Sequence, residues 1–161
     1  LVFHLKFWNN SDLNINCHSK DIDTLEIVSS INNDLKEILM SNQTHSDIQN
    51  INPTHVMSAA TVFNKVVYLS GQVPKNTDAD ITGQTQDILA TIDQLLAEAN
   101  TDKSRLLSAH IYIKNLSDFQ TFNTVWIDWI KDSVPPARAT IQADLVNPDW
   151  LIEIAVTAAQ R

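Results

Sequence analysis

Residues 135–156 read PPARATIQADLVNPDWLIEIAV, and the pairing of their strands decides what kind of sheet this chain builds. The two prolines stop any helix that precedes them. ARATIQADL then alternates in type, VNPD carries turn residues, and WLIEIAVTAA is a second, more apolar run. The spacing predicts a β-hairpin with its turn centred on Asn147–Pro148. Alternation sends Ala139, Ile141, Ala143 and Leu145 to the helix-covered face, beside Ile152, Ile154 and Val156. Arg138, Thr140, Gln142 and Asp144 take the other face, with Glu153, Ala155 and Thr157. In that register Gln142 lies near Glu153 and Arg138 near Thr157. Arg138 is one of three arginines in the chain, and Glu153 interrupts an apolar run fifteen residues later. Together on one face they have two readings, a solvated surface or a receptor for a carboxylate.

Working upstream, HVMSAATVFNKVVYLSGQVP reads as two strands joined by a tight turn at Asn64–Lys65. A helix over 83–99 follows, with Ile88, Ile92, Leu95, Leu96 and Ala99 on one face. Thr82 or Asp80 caps its start and Asn100 ends it. LLSAHIYIKN alternates as a strand, with Leu107, Ala109, Ile111 and Ile113 against Ser108, His110, Tyr112 and Lys114. Ser117 and Gln120 form a capping box for a second helix, DFQTFNTVWIDWIK, striped by Phe119, Phe122, Trp126, Trp129 and Ile130. The expected order is ββαβαββ, an α+β domain with a single mixed sheet and two helices packed on one face. The uncovered face carries too little charge for full solvation. Leu107, Val67 and Leu69 add apolar content near it, depending on register. Such a face packs against another subunit.

Composition narrows the function. The 161 residues, 43% hydrophobic, suffice for one domain with a core. A net charge of −8 argues against nucleic acid as the main ligand. No apolar run approaches a membrane span. Cys17 is the sole cysteine and the five histidines are scattered, so no metal is expected. Two glycines leave no phosphate-cradling loop.

Residues 1–39 differ from the rest. They are rich in asparagine, begin at Leu1, and carry helical spacing at Ile22, Leu25, Val28, Ile31, Leu35 and Ile38. We expect an N-terminal extension outside the native protein, with the natural start at Met40 and the domain over 40–161. That domain keeps 13 acidic and 8 basic side chains, a net −5. The first residues lack the marks of a secretory or transit segment, so a cytoplasmic location is expected.

VYLSGQVP, DILATIDQLLAEA, KNLSDFQTFNTVW, PPARAT and LIEIAV occur in an order that resembles the RidA/YjgF family of reactive intermediate deaminases, closest to its YoaB-like branch. The resemblance covers about residues 53–160. It implies a chorismate-mutase-like fold and a homotrimer with an inner β-barrel, helices outside and sites between subunits. It implies cofactor-independent hydrolysis of 2-imino or enamine acids, of the 2-aminoacrylate/2-iminopropanoate type, to 2-keto acids and ammonia. By the same resemblance Arg138 grips the substrate carboxylate and Glu153 positions the attacking water, while Ser70, Asn123 and Thr140 line the pocket. Two positions depart from it: Met57 stands where many members have tyrosine, and Thr140 where many have cysteine.

Each residue also has a plainer role. Arg138 suits an exposed ion pair, Glu153 a solvated strand, Ser70 a strand end and Asn123 a helix surface. Trp126 and Trp129 suit the core, and His110 a structural position. The rival function is a non-catalytic trimer that binds small carboxylates. An RNA-cleaving activity fits poorly, because three arginines in an acidic chain make no basic track.

Overall fold

The computed structural model describes residues 48–161 and, before them, only the short strands β1 (His4–Leu5) and β2 (Leu13–Asn14). The chain divides into two compact units, Leu1–His45 and Ser46–Arg161. In the first, β1 and β2 pair antiparallel. The helical spacing over 22–39 and the start at Met40 lie outside the described residues.

The second unit holds one six-stranded sheet and two long helices. Its elements are β3 (Gln49–Pro53), β4 (Ser58–Phe63), β5 (Val66–Leu69), α1 (Ile81–Glu98), β6 (Leu106–Ile113), α2 (Phe119–Ile130), β7 (Ala137–Gln142) and β8 (Ile152–Ala159). The sheet order is β3-β4-β5-β8-β6-β7. It is mixed: β6 and β7 run parallel, and every other neighbouring pair is antiparallel.

The β4–β5 turn forms as expected. Asn64 and Lys65 both have positive φ, 49° and 59°, the twist that a two-residue hairpin needs. Helix α1 starts at Asp80, whose Oδ1 accepts the Gly83 N–H at 2.9 Å. It ends at Asn100, left-handed at φ 56°, with Thr101 N–H returning to the Leu96 carbonyl. Ile88, Ile92 and Leu96 from α1 and Phe122, Trp126 and Ile130 from α2 are buried. They cover one face of the sheet, where Ile111, Ile154 and Val156 join the same core.

Five expectations need correction. Strand β3 was absent from the expected order. Its sequence is polar, only Ile51 is buried, and it pairs with β4 at the sheet edge. The capping box does not form: Ser117 lies in a 3₁₀ turn, and the N-cap of α2 is Asp118, without a side-chain cap bond. Val67 and Leu69 are buried on the helix side rather than near the open face. Leu107 is 49% exposed, because a register shift between Leu106 and Ser108 moves it out of the alternation and puts Leu106 in the core.

The fifth correction is the largest. β7 and β8 are not a hairpin, because β6 lies between them. The turn at Asn147 is real but local: Asn147 accepts Asp149 N–H on its side chain and Trp150 N–H on its carbonyl. Helix α2 carries the chain from β6 back to a parallel β7. Register then inverts the face assignment of β7. Arg138 lies beside Ala109, Thr140 beside Ile111 and Gln142 beside Ile113, all on the helix-covered side. Ala139 and Ile141 flank His110 and Tyr112 on the open side. The β8 assignment holds, with Ile152, Ile154 and Val156 buried.

Candidate active site

The five sequence-predicted residues form two groups within one chain. The first lies where the first two turns of α2 overhang the edge strand β7. Arg138 Nη2 donates to Asn123 Oδ1 at 2.9 Å. Its guanidinium lies 5.5 Å from the Trp126 ring centroid and 5.8 Å from that of Phe122. Both rings are buried, so they present flat faces to a planar cation. Partial burial draws the Arg138 pKa below its ordinary value. The group nonetheless stays charged at neutral pH. No described carboxylate pairs with Arg138; among the described residues the ion pairs are Lys131–Asp128 and Arg161–Asp102. Four of its five donors are free of protein side-chain partners among the described residues. Two positions along, on the same face of β7, Thr140 Oγ1 is buried without a hydrogen-bond partner. An orphaned buried hydroxyl beside an uncompensated guanidinium is a place for a ligand oxygen.

The second group lies on the open face around Glu153. Between Tyr68–Thr157 and Gln72–Ile154 the β5 side uses four residues where β8 uses three. The extra residue is a bulge at Ser70–Gly71. Gln72 closes it by exchanging backbone bonds with Ile154 at 2.8 and 3.0 Å. Ser70 Oγ donates to the Ala59 carbonyl at 3.2 Å, and Gln72 Nε2 donates to Ser70 Oγ at 3.0 Å. Glu153 folds over this bulge. A Cβ on Gly71 would lie 1.8 Å from Glu153 Oε1, so only glycine admits the carboxylate there. Gly71 has no positive φ; its role is close approach.

The groups are separate. Arg138 is level with Ala109 and Glu153 with Tyr112, three residues along β6 or about 10 Å, and on opposite faces. The expectation that both share one face of one hairpin is therefore wrong within one chain. Ser70 does accompany Glu153, and Asn123 and Thr140 do accompany Arg138. Gly71, Phe122 and Trp126 had no place in the expected site. Gly71 had a signal, as one of two glycines in the chain. A groove lined by Thr82, Gln120, Thr121, Thr124 and Val125 holds none of the five. No cluster of metal-ligating side chains occurs among the described residues. No described helix is long and apolar enough to cross a membrane.

The profile of the family described as Endoribonuclease L-PSP matches residues 47–160. The chain belongs to this family, also called YjgF. A RutC-family protein of Haemophilus ducreyi is 42% identical over 112 residues, covering 70% of this chain and 96% of that one. The RutC-family protein YoaB of Escherichia coli is 38% identical, over 63% of this chain and 89% of its own. A protein named 3-aminoacrylate deaminase RutC, from Acinetobacter baylyi, is 34% identical over 62% of this chain and 82% of its own. Among solved structures, a YjgF-family protein from Neisseria meningitidis superposes with a TM-score of 0.70 at 40% identity, covering 73% of this chain and 98% of that one. The match to YjgF members thus spans the sheet and both helices.

Proposed function

We propose that this YjgF-family domain hydrolyses small 2-imino or enamine acids to 2-keto acids and ammonia, with no cofactor. The observation that carries this is Arg138: a partly buried guanidinium, set against two rings and held by one neutral amide, with no carboxylate paired to it among the described residues. A guanidinium so placed can bind a carboxylate through paired N–H donors. The name of the Acinetobacter baylyi relative, a 3-aminoacrylate deaminase, supports hydrolytic deamination of an enamine acid.

Arg138 binds the substrate carboxylate, and Asn123 fixes the guanidinium plane. Thr140 Oγ1 adds one hydrogen bond to the ligand. An enamine is first protonated at its terminal carbon to give the iminium. Glu153 orients a water and accepts its proton as the oxygen bonds to the imine carbon. The C=N electron pair moves to nitrogen, which takes up a proton. The C–N bond then breaks, ammonia leaves, and the hydroxyl loses its proton to give the keto acid. Gly71 admits the Glu153 carboxylate, and Ser70 braces the bulge through the Ala59 carbonyl.

One chain does not bring Arg138 and Glu153 together, so the site is shared. In a homotrimer with its sheets inward, the Arg138 edge of one subunit meets the Glu153 face of the next. Exposed Tyr68 and Ile141 on the open face support burial between copies. The separation of Arg138 from Glu153 also favours the rival, a small-carboxylate binder without turnover. The acidic chain gives no support to RNA as a substrate.

The test generates 2-iminopropanoate with an amino-acid oxidase and follows its loss by semicarbazide trapping. Wild type should accelerate hydrolysis and Arg138→Ala should not. If neither does, while pyruvate still raises the melting temperature of wild type alone, the protein is a binder.

A further inference from the structure

Gln84 is fully buried in the first turn of α1, and it bonds both to the loop that leads into that helix and to the distant loop ahead of β8. Its Nε2 donates to the carbonyls of Thr77 at 3.2 Å, Ala79 at 3.1 Å and Asp149 at 3.0 Å. Its Oε1 accepts Leu151 N–H at 2.8 Å. The first loop leads away from Ser70, Gly71 and Gln72. The second enters β8 two residues before Glu153. The two loops flank the one place where Gly71 and the Glu153 carboxylate touch. Beyond that contact, Gln72 and Ile154 join the same two segments by a single backbone bridge. The bulge has no continuous ladder on the loop side of that bridge. A side chain from the helix layer supplies the missing tie.

We propose that Gln84 is a positioning residue that fixes the Glu153 carboxylate against Gly71 by tying both flanking loops to α1. This rests on the role given above to Glu153, but the geometry it asserts is separable from turnover. An apolar side chain of similar length leaves three carbonyls and one N–H without partners. The loops then move apart, and Glu153 loses its fixed approach to the water.

The experiment uses Gln84→Met in the full chain, compared with wild type at a temperature where both are folded. Native-state hydrogen exchange is read at Gln72, Ile154 and, as a core reference, Ile111. Imine hydrolysis is read as kcat and KM separately. We expect Gln72 and Ile154 to exchange about tenfold faster or more, with Ile111 unchanged. We expect kcat to fall about tenfold to a hundredfold, with KM within about twofold. Unchanged exchange at Gln72 and Ile154 overturns the proposal, whatever the activity. Faster exchange with an unchanged kcat also overturns it, and leaves Gln84 a structural residue only. Faster exchange in a protein whose wild type does not turn over imines upholds the tie and removes the deaminase function instead. If Gln84→Met does not fold, Gln84→Glu decides. Its protonated carboxyl keeps one donor and one acceptor, and burial raises its pKa. Exchange at Gln72 and Ile154 relative to wild type should slow as pH falls; a pH-independent ratio overturns the proposal.

Discussion

Gly71→Ala separates the stability of this fold from the work of its carboxylate. The backbone at Gly71 has no positive φ, so alanine fits it without strain. A new Cβ would nevertheless lie 1.8 Å from Glu153 Oε1 and 2.8 Å from its Cδ. Ordinary heavy-atom contacts begin at about 3.5 Å, so the carboxylate must retreat by about 1.5 Å. It is the far end of a flexible side chain, and it can do so by changing rotamer. The cost of that change is about 1 kcal/mol, offset in part by the reduced freedom of the unfolded chain. Stability should therefore change by less than about 1 kcal/mol. Catalysis should not escape, because a misplacement of about 1 Å costs about a hundredfold in rate. Thermal unfolding and single-variant kcat on 2-iminopropanoate are the assays. An unchanged Tm with an unchanged kcat would refute the placement of Glu153 at the reacting centre. A Tm lower by ten degrees or more would refute the claim that the carboxylate is free to move.

Other consequences follow from single side chains. Arg138→Lys keeps the charge and loses the planar fork, so KM for the imine should rise about tenfold or more while the melting temperature stays close to wild type. Thr140→Val removes a buried hydroxyl that lacks a partner, and chemical denaturation should show the free protein stabilised by about 1 kcal/mol, while the melting-temperature shift caused by pyruvate shrinks. Lys65→Gly relieves a non-glycine residue at φ 59° in the β4–β5 turn and should stabilise by about 1 kcal/mol in the same assay. Asp102 is held below the usual carboxylate range, chiefly by its bonds from Ser104, so its contribution is complete above its unfolded pKa and is lost as pH falls through the lower folded one. Asp102→Asn should then flatten the acid limb of a stability-against-pH curve and leave neutral stability less than wild type.

What the sequence disclosed depended on how locally each feature is determined. The Asn64–Lys65 turn, the Asp80 cap and the stripe from Ile88 to Leu96 are set by neighbours within a few residues, and each was legible. The pairing of β7 was not. Its order in the chain suggests a hairpin with β8, yet the helix before it makes a parallel return to β6 equally natural. Apolarity also misled. On an interior strand the apolar side faces the helices, as Ile154 and Val156 do. β7 is an edge strand whose helix-facing side meets Asn123 and the ring of Trp126, so Arg138 and Thr140 take that side, and Ile141 turns to the open one, 54% exposed. The candidate residues came from the ordered motifs, whereas their division between two faces needed the register. Gln84 was invisible to pattern alone, because a glutamine in a helix carries no sign that two of its partners lie 65 and 67 residues away.

The division of Arg138 from Glu153 makes a mixing experiment the most direct test of a site shared between subunits. Arg138→Ala and Glu153→Gln should each be inactive alone. Coexpressed, or exchanged by mild denaturation and refolding, they should regain a substantial fraction of wild-type imine hydrolysis. Mixed assemblies then contain sites that take an intact Arg138 from one chain and an intact Glu153 from its neighbour. If mixed assemblies form, as native mass spectrometry would show, and remain inactive, the two residues do not work together across an interface and the shared site is wrong.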